Sequence, residues 1–340
     1  MRAWALLLAL GTVAMAADPD AIFAGIVDAR QPGMAVLVRQ NGRTIFERGY
    51  GVRDLRTFAK IDGQTDFRLA SCSKQFTAMS VMLLVHDAKL RYDERLTDIF
   101  PEFPAYGQAI TIRHLLTHTS GLPDYEDLMA GGRWTAEHQI QDSEVLRLLE
   151  KQKAGKFAPG SNWAYSNSGY VVLGLIVARA SGTTFPQFLH DRIFEPLHMS
   201  HTLAYVKGRN TVPNRAYGHS KEGDGFIETD QSATSATLGD GGIYSNLDEL
   251  AQWDAALDSH ALLSAAEMKA ALTPVADQKT AYGFGWFLDP FEGHPRMWHT
   301  GETMGFHTAI ERFTRDKLTV VILCNRTDLE PGKLAEELIQ

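Results

Sequence analysis

A serine hydroxyl is a poor nucleophile until a neighbouring base takes its proton. The run Phe67-Arg68-Leu69-Ala70-Ser71-Cys72-Ser73-Lys74 sets a candidate base three residues beyond Ser71. Residues three apart share one helical face, with Cβ atoms about 5 to 6 Å apart, so Lys74 reaches Ser71 if the serine stands in the first turn of the helix that follows. A lysine serves as a base only where burial or a second cation lowers its pKa. The N-terminus of a helix adds partial positive charge and a free backbone N–H, both suited to an oxyanion. The plainer reading makes Ser71 or Ser73 an N-cap and Lys74 a solvated helix residue.

Two later segments bear on that choice. Tyr165-Ser166-Asn167 closes a turn-rich run from Pro159 and leads into an apolar stretch beginning at Tyr170. A phenol and an amide two positions apart can enter one cleft, the phenol relaying a proton and the amide holding a substrate amide. Taken singly, Tyr165 reads as a core-edge aromatic and Asn167 as a cap. Trp298-His299-Thr300-Gly301-Glu302 ends a strand pattern, and its glycine lets a substrate approach the backbone and the N–H groups of a strand edge.

Other chemistries find less footing. His114 and His118 have metal-ligand spacing, but Leu115 stands where a zinc hydrolase helix carries glutamate, so packing and hydrogen bonding at a helix end are expected instead. No G-x-S-x-G, G-x-G-x-x-G or P-loop is present, which leaves an α/β-hydrolase elbow and the usual nucleotide sites without an anchor. Neither a metal nor a cofactor is expected. Tyr125, Trp286, Trp298 and Phe306 are aromatics that either line a cleft or fill the core.

The elements that must position these residues follow from pattern. Residues 34–39 and 44–50 read as strands about Asn41-Gly42, the strongest short hairpin signal, after a helix over 20–29. Residues 284–288, 297–300, 308–313 and 318–324 read as strands near the other end, and Pro331 starts a last short helix. Helical periodicity dominates between them, over 73–86, 112–118, 143–151, 170–181, 185–193 and 247–257. The expected fold is α/β of the α+β kind: an antiparallel sheet flanked by N- and C-terminal helices, with a mainly helical lobe inserted. Residues 20–70 and 282–340 would form the sheet lobe and 71–281 the helical lobe, with a cleft between.

With 340 residues, 44% apolar and 22% charged, the chain can bury a large core. The first sixteen residues, MRAWALLLALGTVAMA, carry one cation at Arg2, an apolar run, and small residues at Ala14 and Ala16. They read as a secretory signal, implying export to the periplasm or outside the cell, with residues 17–340 as the catalytic domain and no membrane anchor after cleavage. Cleavage leaves 32 basic against 41 acidic residues and a formal charge of −9. An acidic chain without a basic cluster is a poor partner for nucleic acid. Cys72 and Cys324 are the only cysteines, either bridged or two buried thiols.

The three motif segments, in this order and at these separations, resemble the penicillin-recognising serine hydrolases: class C-type β-lactamases, D,D-carboxypeptidases, D-aminopeptidases and related esterases. The likeness extends to the stretch 114–122 and to Gly239-Asp240-Gly241-Gly242. It implies a β-lactamase/transpeptidase-like fold and a small-molecule or peptide substrate, peptidoglycan fragments included. By this resemblance Ser71 attacks a carbonyl to form an acyl-enzyme, and Lys74 and Tyr165 share its proton. The backbone N–H groups of Ser71 and Glu302 form an oxyanion hole, each donor worth about 2.7 to 4 kcal/mol. Asn167 holds the acyl amide, while His299, Thr300 and Gly301 line the strand side and meet a substrate carboxylate if there is one. The β-lactamases of the group usually carry lysine at the position of His299, whereas several of its peptidases carry histidine. The resemblance therefore implies a serine hydrolase of small amides or esters, such as D-amino-acid peptides, amides or esters, with weak or absent β-lactam turnover. A true β-lactamase and a non-catalytic binder of peptidoglycan fragments or a protein partner are the alternatives.

Overall fold

The computed structural model describes residues 18–339 except 24 and 276–279, so the expected signal segment lies outside the described residues. A short helix, α1 (Pro19–Phe23), precedes strands β1 (Met34–Gln40) and β2 (Arg43–Tyr50). Asn41 and Gly42 both take positive φ, 52° and 76°, the twist-matched turn that the Asn-Gly pair implies. The sheet is completed from the far end of the chain by β3 (Arg296–Thr303), β4 (Phe306–Phe313) and β5 (Leu318–Cys324), all antiparallel, in the order β3-β4-β5-β1-β2. Met34 pairs with Cys324 and Gln40 with Leu318, so the two ends of the chain are stitched along one full ladder.

Strands β1 and β5 are apolar on both faces because both faces are covered. Met34, Val36 and Val38 turn toward α1 and the C-terminal helix Pro331–Glu337, packing with Phe23, Ile322 and Ala335. Ala35, Leu37, Val321 and Leu323 turn the other way, into the large core shared with the helical region. Each aliphatic side chain buried there contributes about 1.5 to 3 kcal/mol. The helical region is organised on α2 (Lys74–His86) and the helix Asn167–Ser181, which pack against each other. Both are buried along most of their length, α2 enclosing even Lys74, Gln75, Thr77 and Ser80.

Antiparallel sheet, terminal helices and intervening helical region match the expected class. Two expected elements do not form. The helix expected over 20–29 is confined to Pro19–Phe23, and Gly25 follows at the point where backbone freedom costs a helix most. The strand expected over 284–288 is reduced to isolated bridges from Phe287 to Tyr282 and Trp298. Gly285 there adopts φ +79°, and a Cβ on it would meet the Gln75 backbone at 2.7 Å, so the segment bends against α2 instead of extending. The structure adds short strands that the sequence pattern does not announce: Phe67–Arg68 pairs with Ile243–Ser245, which pairs in turn with Leu203–Ala204. That small sheet delivers the chain to Ser71. Both cysteines are free and buried.

Candidate active site

Ser71 lies in a 3-10 turn, Ala70–Ser73, that runs directly into α2. Ala70 has φ +48°, an uncommon conformation for a residue with a Cβ, and it turns the chain sharply between the strand Phe67–Arg68 and the helix. One turn on, the Lys74 side chain is wholly buried. Its Nζ donates to Ser71 Oγ at 3.0 Å, to Asn167 Oδ1 at 2.9 Å and to the Asp240 carbonyl at 2.8 Å. Three acceptors match the three N–H bonds of an ammonium. Burial nevertheless lowers the Lys74 pKa to about 8, against the charges of Asp240, Glu126 and Asp124, which hold it up.

Each partner is placed by its own local structure. Asn167 opens the helix Asn167–Ser181, whose N-cap Ser166 accepts from Gly169 N at 3.1 Å. Asp240 is brought in by a close approach of backbones: a Cβ on Gly239 would stand 2.2 Å from the Tyr170 carbonyl. The same approach lets Thr77 donate to the Gly239 carbonyl at 2.7 Å. Because Lys74 is bound there by a main-chain oxygen, no side-chain pattern marks that contact. The Gly-Asp-Gly-Gly run is its only trace in the sequence.

Tyr165 stands beside the pair, its ring centroid 4.8 Å from Lys74 Nζ. The phenol oxygen is enclosed and has no hydrogen-bond partner among the described residues. Burial pushes the Tyr165 pKa well above its usual value, while the nearby Ser71 hydroxyl opposes the rise, so the group is a neutral phenol at rest. Its ring belongs to an aromatic cluster with His118, Tyr170, Tyr282 and Trp163.

Strand β3 borders the nucleophile from the other side. Gly301 is pressed so closely on the turn that a Cβ would fall 2.2 Å from the Leu69 carbonyl, 2.4 Å from Thr308 Oγ1 and 3.1 Å from Ser71 N. Among the described residues β3 is the edge strand of the sheet, with Phe287 bridging to it at Trp298. Glu302 and Thr303 border the cleft that holds Ser71, together with Asn167, Glu126 and Asp240. His299 is not among these residues. It is buried, shares a hydrogen bond between Nε2 and Tyr282 Oη at 3.1 Å, and is lowered to about 3 by burial and by Lys74, hence neutral. Thr300 opens on a separate cavity with Glu302, Glu311 and the C-terminal helix.

The sequence motifs thus bring Ser71, Lys74, Tyr165, Asn167 and the Gly301-Glu302 backbone to one place, while the buried His299 ring, its centroid 6.0 Å from that of Tyr165, does not line the cleft. Not anticipated were the Asp240 carbonyl and the acidic wall. Glu126 accepts from Asn167 Nδ2 at 3.4 Å, and its carboxyl is raised by burial and by Asp124 and Asp240. One Asp240 oxygen accepts from Tyr125 Oη at 3.1 Å and the other has no partner among the described residues. The one metal-capable cluster among the described residues, His190, Asp191 and Glu195, is exposed and composed of none of these residues.

The family model described as Beta-lactamase matches residues 19–340. Penicillin-binding protein 4* of Bacillus subtilis (strain 168) is 30% identical over 324 residues, covering 90% of this chain and 71% of its own. Among solved structures, D-amino acid amidase from Ochrobactrum anthropi SV3, complexed with L-phenylalanine amide, superposes with a TM-score of 0.79 at 25% identity, covering 94% of each chain. A penicillin-binding protein from Bacillus halodurans gives 0.77 at 26%, covering 89% of this chain and 92% of its own.

Proposed function

The chain belongs to the beta-lactamase family of serine hydrolases, and on that premise we propose that it cleaves small amides or esters of D-amino acids through an acyl-enzyme on Ser71. The observation that carries the reading is the contact of Lys74 Nζ with Ser71 Oγ at 3.0 Å, made by a lysine whose pKa burial has brought down to about 8. In its neutral form Lys74 takes the hydroxyl proton as Ser71 Oγ adds to the substrate carbonyl carbon. The oxyanion is met by the N–H groups of Ser71 and Glu302, a pairing supported by the close fit of Gly301 against the Ser71 turn, where a Cβ would stand 3.1 Å from Ser71 N. Tyr165, a neutral phenol, gives its proton to the departing amine or alkoxide and recovers one from Lys74. Water then adds to the acyl carbon with the same groups working in reverse, and one water is consumed for each acid and amine or alcohol released.

Charge in the cleft supports the substrate class. A β-lactam or a D-Ala-D-Ala terminus brings a carboxylate, but His299 is neutral and buried, and the cleft wall carries Glu126, Asp240 and Glu302. Arg68, also on that wall, donates through Nε and Nη2 to the carbonyls of Gly241 and Ser235 and keeps Nη1 unpaired among the described residues, one guanidinium against three carboxyl groups. A substrate with a free ammonium suits these surroundings better, as an amino acid amide or ester does. Export, inferred from the first sixteen residues, accords with such substrates. Among the described residues no helix is long and apolar enough to cross a membrane.

The test is a panel run on one purified sample: p-nitrophenyl acetate, D- and L-amino acid amides, a D-Ala-D-Ala peptide and a chromogenic cephalosporin. Ester and D-amino acid amide turnover should exceed cephalosporin turnover. A cephalosporin hydrolysed faster than either would overturn the substrate class.

A further inference from the structure

The histidine-bearing stretch 114–122 holds two imidazoles that do different work. His114 belongs to the start of its own helix, Ile112–Leu116, where Nδ1 accepts from Thr111 N at 3.2 Å. His118 reaches across to the segment that carries Tyr165. Its main-chain carbonyl accepts from Ala164 N at 3.0 Å, and its ring Nδ1 accepts from Ser166 N at 3.1 Å. Ala164 and Ser166 are the residues on either side of Tyr165. The ring itself packs on the Tyr165 ring with centroids 4.4 Å apart.

The stretch after His118 continues the alignment. The Thr119 carbonyl accepts from Gly160 N at 2.8 Å and the Gly121 carbonyl from Lys156 N at 2.7 Å. At Gly121, which has φ +70°, a Cβ would lie 2.3 Å from the Phe157 carbonyl. Residues 118–121 therefore form a template along which residues 156–166 are laid, ending at Tyr165. His118 is its terminal clamp and is held there at a cost: it is fully buried, has φ +60°, and leaves Nε2 without a partner among the described residues. Accepting at Nδ1 requires the neutral ring with its proton on Nε2. Burial lowers the His118 pKa well below its usual value, with Lys74 and His299 adding to the effect, so that form persists.

We propose that His118 is a positioning residue for the hydrolysis, holding the backbone on both sides of Tyr165 and the face of its ring so that the phenol stays beside Ser71 and Lys74. The proposal rests on the role given above to Tyr165. A misplacement of about 1 Å at a proton-transfer group can cost about a hundredfold in rate, whereas loss of the group costs about 100- to 10,000-fold. Asparagine at this position keeps an acceptor near the place of Nδ1 and tolerates positive φ, whereas leucine keeps bulk alone.

The experiment measures p-nitrophenyl acetate hydrolysis and thermal unfolding for wild type, His118→Leu, His118→Asn, Tyr165→Phe and the double variant His118→Leu/Tyr165→Phe. His118→Leu should lose about a hundredfold in kcat with KM within about threefold of wild type, and His118→Asn should recover to within about tenfold. Adding His118→Leu to Tyr165→Phe should cost no more than about threefold further, since a residue acting through another loses its effect once that other is gone. Retention of kcat within threefold in a folded His118→Leu, or losses that multiply in the double variant, would overturn the proposal. If His118→Leu does not fold, a hundredfold loss in a folded His118→Asn overturns it equally. Full activity in Tyr165→Phe would instead sink the proton-relay role of Tyr165 itself, a result distinguishable from failure at His118 alone.

Discussion

Lys74 is caught between two demands. Its three acceptors fit an ammonium, yet its enclosure favours the neutral amine, and a pKa of about 8 is where these tendencies meet. At pH 7 about a tenth of the molecules carry the free base. In the proposed mechanism the active form is deprotonated, so kcat/KM for a neutral ester should rise with pH and level off above a midpoint near 8. His118 and His299 are both held neutral far below that range, so no imidazole limb is expected between pH 6 and 7. A limb there in the measured profile would place a histidine in the chemistry and displace Lys74 as base. At this scale the S-x-x-K spacing was legible because it is local: three residues on one helical turn need no knowledge of the fold. The inward turn of His299 was not, since a strand pattern says which residues alternate but not which face meets the cleft.

The elements meet at a few positions where only glycine fits. Gly301 lets β3 lie against the turn that carries Ser71, and its missing Cβ is the space between Leu69 O and Thr308 Oγ1. Gly301→Ala should therefore push strand and turn apart, separating the two backbone donors. We expect a fall in kcat/KM of about a hundredfold or more, accompanied by a lowered melting temperature, in a protein that still folds. Activity within threefold of wild type would mean that the β3 edge is not part of the oxyanion site. The hairpin at Asn41-Gly42 and the strands 318–324 and 34–40 could be read from composition because β-rich runs and their turn residues carry the signal themselves. The helix over 20–29 and the strand over 284–288 failed for the opposite reason: Gly25, Gly283 and Gly285 interrupt periodicity that otherwise looks regular. The pairing of Phe67–Arg68 with Ile243–Ser245 joins residues too distant in sequence, and too few, for any local pattern to reveal.

On the scale of the whole molecule, the termini build the sheet, and the residues between them supply the helices that enclose Lys74 and the wall that bears Glu126 and Asp240. The broad class was legible because strands cluster at the two ends and helices in the middle. The acidic wall was not, because its members Glu126, Asp240 and Glu302 come from three separate segments of the chain. This construction places one nucleophile on a cleft between the sheet edge and the helices, with a buried lysine and a buried phenol beside it, and covalent acyl transfer is the central claim proposed from it. Its most direct test is the intact mass of the whole protein, acid-quenched during steady turnover of p-nitrophenyl acetate and then mapped by peptide. The account predicts a mass increase of one acetyl group located on Ser71, with a larger acylated fraction in Tyr165→Phe if deacylation slows more than acylation, and none in Ser71→Ala. Turnover with no acyl adduct at any quench time, or an adduct that persists when Ser71 is replaced, would contradict it.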